Sequence, residues 1–450
     1  MKTITRRSFI TRSTLGSAAI AAGTGLVSAP NRVLGANERI VLGIMGIGGR
    51  GSVLATTFPK QPGVELAYVC DADSNRLKPL AAKVEEIQGK SPKVLQDFRK
   101  MLEDKAVDAI INATPDHWHS LGTILACQAG KHVYVEKPAS HNIWEGRKAV
   151  EAARKYNRVV QLGTQTRSGA YAQHGVAYIA AGKLGKVHMI KVFNMKTRPP
   201  IEPRPNRAVP EGVDYDLWLG PAPQRPFNPN DFSGGYWNWK WDFSGGDIIN
   251  DGVHQMDLAR WCSGQKAPRG IHCAGGIFEF TDGQDTPDTQ VVTYDFDGLT
   301  MIFELTLWTP YLKKIPQWIR DGDYFPKWPF CATRVEVYGT DGFMYFGRHG
   351  GGWQVFTDED KAGDFEYGRD PVIPHIQNFL ECVKSGKRPN ADIEEGHLST
   401  VLCHLGNISY RLGGRKLQYD PIKERFIGDE EANALLKRTY RAPWVVPEVV

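Results

Sequence analysis

A short apolar run, Ile40 to Ile44, meets Gly46-Ile47-Gly48-Gly49-Arg50-Gly51, and that junction leaves few folds open. The spacing is G-x-G-x-x-G between a predicted strand and a predicted helix. The first glycine makes a tight turn, and the second lets backbone approach a pyrophosphate. The third lets the helix pack close to the strand, while the helix N-terminus attracts phosphate charge. Alone the pattern is weak, because glycine-rich turns are common. Here a second buried strand, Val64 to Cys70, follows and ends in Asp71, twenty residues after Gly51. A carboxylate there is placed to accept hydrogen bonds from a ribose hydroxyl. Its charge would repel a 2′-phosphate, so NAD is favoured over NADP, with Arg50 and Arg76 near enough in sequence to soften that preference.

The alternation continues. A helical stretch spans Leu77 to Ile87, a strand Val107 to Ala113, a helix Ser120 to Ala129 and a strand His132 to Val135. Helix Ile143 to Tyr156 then leads into Arg158 to Leu162. Strands alternating with helices predict a doubly wound parallel sheet, a Rossmann domain over 37–162. After Gly163 the texture changes. Val187–Phe193, Gly270–Phe280, Thr289–Phe296, Thr300–Leu307 and Arg334–Gly339 read as longer strands, several with period-two alternation. They predict an α+β domain over 163–370 with a large open, mostly antiparallel sheet. Residues 371–450 are expected to form a helical segment packing on the body, with helices at His375–Lys384 and Glu394–Leu412.

Charge separates the first 36 residues from the rest. They carry Lys2, Arg6, Arg7, Arg12 and Arg32 and no acid, so the net charge of +5 sits there and the body has fifty bases against fifty acids. A neutral body lacks the basic footprint of a nucleic-acid binder. Thr5-Arg6-Arg7-Ser8-Phe9-Ile10, followed by a mildly apolar Gly/Ala-rich run to Ala29, reads as a twin-arginine (Tat) signal. The expected partner is the Tat export machinery, with Ala36 or Ala29 ending the leader. The expected location is periplasmic or otherwise extracytoplasmic, with a membrane tether if the leader is retained. The seven cysteines are scattered, and none has metal-ligand or CxxC spacing; no metal site is expected.

Several motifs occur in order: the glycine loop, Asp71, Thr114-Pro115-Asp116-His117-Trp118-His119, Glu136-Lys137-Pro138, and Gly252-Val253-His254-Gln255-Met256-Asp257. On these residues the chain resembles the glucose-fructose oxidoreductase and inositol dehydrogenase (Gfo/Idh/MocA) family, from about Arg39 to the C-terminus. The resemblance implies an NAD(P)-dependent oxidoreductase with a tightly held cofactor, acting on a sugar or cyclitol hydroxyl. It implies that Lys137 reaches the substrate hydroxyl beside the nicotinamide and that the Thr114-Pro115 loop lines the nicotinamide side. Glu136 belongs to the cofactor side with Lys137. His117 and His119 either contact cofactor or cap the next helix. Gln165 and Arg167 open the second domain beside the crevice, Gln165 toward the cofactor. Arg167 binds either a substrate group or a surface partner.

His254 is the second catalytic candidate, with Asp257 three residues on and on the same helix face. The family commonly has an aspartate four residues before this histidine, where this chain has Asn250. Asn250 can bind a sugar hydroxyl but cannot accept a proton as a base, which puts a simple Asp-His-Lys relay in doubt. Asp251 is adjacent and is a further substrate-side candidate. Trp239 lies in the aromatic segment Gly235-Tyr236-Trp237-Asn238-Trp239-Lys240-Trp241-Asp242, which would wall a carbohydrate site, form a satellite core or make a subunit contact. A homo-oligomer, dimer or tetramer, is expected on the resemblance alone. The expected reaction is hydride transfer between a secondary alcohol carbon and the nicotinamide, with Lys137 and His254 handling the proton. Two rivals remain: a redox-neutral NAD-dependent glycosidase or lyase of the same fold, and a non-catalytic sugar-binding protein. Lys137 argues against the first, since family glycosidases replace it.

Overall fold

The computed structural model describes residues 39–232, 234–358 and 361–450; the twin-arginine leader expected over 1–36 lies outside them. The body begins with β1 (Ile40–Met45), β2 (Val64–Cys70), β3 (Lys93–Leu95), β4 (Ala109–Asn112), β5 (His132–Val135) and β6 (Val160–Leu162). All pair in parallel, in the order β3-β2-β1-β4-β5-β6. These strands are apolar along both faces because helices cover both. On one face Leu42, Ile44 and Ile111 pack with Leu54, Phe58 and Leu80. On the other, Met45, Ile110 and Val133 pack with Leu121 and Ile124. The order reverses between β1 and β4, which opens a ligand crevice at their carboxyl ends.

The second sheet contains β7 (Met189–Met195), β8 (Gly270–Gly276), β9 (Thr289–Phe296), β10 (Leu299–Thr306), β11 (Arg334–Tyr338), β12 (Phe343–Gly347), β13 (Trp353–Asp358) and β14 (Lys361–Glu366). The short strands β15 (Leu417–Asp420) and β16 (Arg425–Phe426) complete it, in the order β14-β13-β12-β11-β7-β10-β9-β8-β15-β16. Only the β7–β10 pair is parallel among the named pairings. Along β9, Val292, Tyr294 and Phe296 are buried while Val291 and Asp295 face out. The buried row joins one core with helices Val253–Ser263 and Ile393–Arg411. That packing explains the period-two pattern on this sheet and its absence from the first.

Residues 371–450, expected to be a helical segment, do more than that. Helix Val372–Ser385 sends Ile376 and Phe379 into the core of the first sheet, and β15 and β16 extend the second. Strands β12 to β14 and helix Ala170–Ala180 were not foreseen. Gly350, Gly351 and Gly352, all at positive φ, interrupt the period-two signal between β12 and β13. In the helix the buried stripe is Tyr171, Ala172, Gly175 and Ile179, whose two small middle members keep it from standing out. All seven cysteines are buried thiols. Among the described residues no helix is long and apolar enough to cross a membrane, and no cluster of His, Cys, Asp and Glu could hold a metal ion.

Candidate functional site

From β1 the chain turns through Gly46 into helix Gly49–Thr57. Gly46 has φ of +80°, and a Cβ there would stand 2.6 Å from Thr114 Cα. A Cβ on Gly51 would run into Gly46 O, so this glycine seats the helix against the loop. Gly48 and Gly49 serve differently. A Cβ on Gly48 would meet only Arg76 Nη1, at 3.6 Å, and one on Gly49 nothing within 4 Å. Both border a cavity of about 690 Å³, within the usual range for cofactor sites. The free N–H groups that begin the helix suit a pyrophosphate at this loop.

Asp71 lines the same cavity and accepts N–H bonds from Ile47 at 2.8 Å and Asp73 at 2.9 Å. Burial raises its pKa even against these donors. Its remaining lone pairs can accept from a ribose diol. Arg76 also borders the cavity, but its Nε donates to Asp73 at 3.0 Å. Arg50 turns instead to Glu136, its Nε 2.8 Å from the carboxylate. Burial alone would lift the Glu136 carboxyl, but Arg50 outweighs it and holds the pKa below the usual value. A glycine cradle, an acid at the cavity and a cavity of this size fit NAD.

The loops after β4 and β5 form the far end. Thr114 donates through Oγ1 to Asn112 at 2.7 Å. His119 puts Nδ1 2.6 Å from Pro138 O and Nε2 2.8 Å from Thr114 O, so it clamps the two loops together. Thr114, Pro115, His119, Glu136, Lys137 and Asn250 all border the cavity. Lys137 Nζ donates to the main-chain oxygen of Asn250, and lies 3.3 Å from its Oδ1. No carboxylate lies within ion-pair distance of Lys137 among the described residues. His254 stands behind this point, 6% exposed, its ring centroid 4.4 Å from that of His349. Its Nδ1 has no hydrogen-bond partner. Burial, then His349 and Arg348, push its pKa well below the ordinary value, which favours the neutral ring.

Other candidates are placed elsewhere. His117 does not border the cavity. Its Nε2 lies 3.0 Å from Trp218 O, its ring packs on Trp218 and Phe243, and burial lowers its pKa to about 3. Gln165 sits behind Glu136, its amide 3.4 Å from Oε1, and supports that side chain from outside the cavity. Arg167 and Asp257 do not border the cavity. Arg167 Nε donates to both Asp257 oxygens at 2.9 Å, with Ser399 Oγ 2.6 Å from one of them. The two are 5% and 1% exposed, and the pair pins the start of the second domain to helix Val253–Ser263. Trp239 lies under the Arg198 guanidinium, 4.7 Å from its ring centre, and borders a separate small hollow. Asp251 is taken up by Arg348, Lys196 and Lys314 at 2.6, 3.0 and 2.6 Å.

Three groups were missed. Asp116 borders the cavity, is bonded by Ser244, and has its pKa raised by burial. It sat between two selected neighbours in the Thr114–His119 motif. Trp237 and Asn238 line the cavity where Trp239 does not. His349 adopts a φ of 54°, uncommon for a non-glycine residue, before three glycines. That glycine run was its one available signal.

This cradle, acid and lysine on a Rossmann sheet joined to a large mixed sheet define an NAD-binding dehydrogenase. Family models agree: residues 40–164 match "Oxidoreductase family, NAD-binding Rossmann fold", and residues 192–275 and 366–446 match "Oxidoreductase family, C-terminal alpha/beta domain". Together they span more than half of the chain, which belongs to the Gfo/Idh/MocA oxidoreductase family. It is 22% identical to myo-inositol 2-dehydrogenase of Thermotoga maritima, over 82% of this chain and 95% of that one. It is 24% identical to scyllo-inositol 2-dehydrogenase (NAD(+)) of Bacillus subtilis, over 86% and 97%. Its fold is similar to that of the WlbA dehydrogenase of Bordetella pertussis, solved with NADH and UDP-GlcNAcA: TM-score 0.61, 19% identity, covering 85% of this chain and 99% of that one.

Proposed function

We propose that this oxidoreductase withdraws hydrogen from a secondary hydroxyl of a sugar or cyclitol, with Lys137 taking the hydroxyl proton. NAD, when bound, supplies the hydride acceptor. The observation that carries this reading is the position of Lys137 Nζ, at the cavity end and bonded to Asn250 rather than paired to an acid. A substrate hydroxyl that replaces Asn250 O as its partner gains a proton acceptor once the lysine gives up its own proton. Asn250 orients, since its amide cannot take a proton. His254, neutral and with an unpartnered Nδ1, is the next acceptor along the same wall. Holding the reacting carbon in line beside these groups supplies most of the rate.

The printed activities of the two inositol dehydrogenases favour a cyclitol, and the sugar nucleotide bound by the Bordetella enzyme favours a sugar. The Arg6-Arg7 leader supports export of a protein already loaded with cofactor, working outside the cytoplasm. The test is the reduced-nicotinamide absorbance band of the purified protein, before and after free polyols, inositols and aryl glycosides. A band that rises with a free polyol and persists supports the dehydrogenase. Release of an aryl alcohol with no lasting change in the band refutes it in favour of a redox-neutral glycosidase.

A further inference from the structure

The wall beyond Lys137 carries more positive charge than the protein neutralises. Asp251, next to Asn250 in the chain, receives Arg348, Lys196 and Lys314 together. Lys196 also reaches Asp247 at 2.9 Å. Arg320 stands against the same turn: a Cβ on Gly350 would be 3.1 Å from its Cγ. It has no carboxylate within ion-pair distance among the described residues; Asp370 acts on it from further off, and Arg348 repels it. Lys137, Lys196, Lys314, Arg320 and Arg348, with Arg50 beyond them, thus face Asp247, Asp251, Asp370, Asp116 and Glu136, an excess of one positive charge before either imidazole takes a proton.

These cations are also short of acceptors. The Nε atoms of Arg320 and Arg348 and Nε2 of His349 are all buried with no hydrogen-bond partner. Arg348 is itself only 4% exposed, with one nitrogen of its fork, Nη1, bonded to Asp251 and Gln255. Buried donors are normally paired, and like charges are held together only when something offsets them. At the edge of this cluster the Lys314 side chain reaches solvent, 42% exposed. The wall adjoins the reacting end, since Lys137 acts electrostatically on His254 and Arg50 on His349.

We propose that this wall, between His254, His349, Arg320 and Arg348, binds the carboxylate of an acidic sugar, so that the substrate is a uronate-type sugar rather than a neutral one. A carboxylate offers the planar pair of acceptors that a guanidinium fork and an imidazole N–H can share. The proposal rests on the dehydrogenase reading for the reaction, but not for the binding. The test therefore measures both on the NAD-loaded protein: calorimetric binding, and turnover followed at the reduced-nicotinamide band. The probes are glucuronate, galacturonate, the matching neutral hexoses, their methyl uronate esters and hexose 6-phosphates. The variants are Arg320→Met, whose guanidinium has no carboxylate within ion-pair distance among the described residues, and Lys314→Met as a second, peripheral one.

The uronates should bind about tenfold or more tightly than the neutral hexoses and esters, the scale of one charge-assisted hydrogen bond. Arg320→Met should erase most of that margin while leaving the weaker binding of neutral hexoses unchanged. Equal binding of acid and ester, or a margin that survives both variants, would overturn the proposal. Hexose phosphates binding more tightly than uronates would overturn it in favour of a phosphate site. Selective uronate binding without turnover of any sugar would uphold the charged wall and sink the dehydrogenase reading instead.

Discussion

Arg167→Met and Asp257→Asn separate a structural pair from a substrate clamp. The Arg167 Nε sits 2.9 Å from both carboxylate oxygens, and the two side chains are almost fully buried. Breaking such a pair from one side leaves a buried charge, at a cost of about 3–5 kcal/mol. The surroundings decide which end of that range applies. Arg167→Met leaves Asp257 with Ser399 and within the field of Arg260, so the cost should fall near the lower end. Asp257→Asn leaves Arg167 and Arg260 facing each other, with Glu395, 42% exposed on its side chain, as the remaining acid. That variant should lie near the upper end. Replacing both by apolar residues, Arg167→Met with Asp257→Leu, should recover a good part of the loss, since no charge is then stranded. Denaturant unfolding of the four proteins reads these differences directly, and steady-state kinetics on the soluble variants reads KM. Single variants that unfold like the parent, with a KM raised by tenfold or more, would refute the structural assignment and restore Arg167 to the substrate.

Three further outcomes are expected. Lys137→Met should lower kcat by roughly 10²- to 10⁴-fold, the usual contribution of a positioned proton acceptor, while NAD binding followed by fluorescence titration stays within a few fold; a normal kcat would remove Lys137 from the chemistry. Gly51→Ala should weaken NAD binding or folding, because its Cβ has no room beside Gly46 O, whereas Gly49→Ala, with nothing within 4 Å, should fold normally and change cofactor affinity alone. Acid should destabilise the body between the ordinary histidine value and about pH 4. His117 has a pKa lowered to about 3, and His375 and His404 to about 4, by burial, so each is neutral when folded. The unfolded chain binds more protons below about pH 6.5, so stability present above that pH is lost as pH falls toward the folded values. Unfolding midpoints measured from pH 7 to 4 should fall, and less steeply in His404→Gln; a flat profile would contradict the buried neutral rings.

The cofactor half of this protein was legible because its chemistry is local. Gly46, Gly51 and Asp71 act within one strand–turn–helix–strand unit, where backbone turn, close approach and a strand-end acid each require a residue type at a fixed offset. Lys137 was legible for a similar reason, standing at the end of a strand whose neighbours in the sheet are set by the alternation itself. The substrate half was not, because charge and aromatic residues have no period. Arg167 and Asp257 have the composition of a substrate clamp, and only the packing of three distant segments shows that they neutralise each other. His117 and His119 are two residues apart, yet one faces Trp218 in a core and the other ties two cavity loops together, a difference made by which element lands against them. The sequence by itself determined the parallel sheet, the nucleotide cradle and the lysine. It took the packing of distant segments to bring Arg348 and His349, which follow β12, against His254, because their meeting depends on strand pairings that no local pattern encodes.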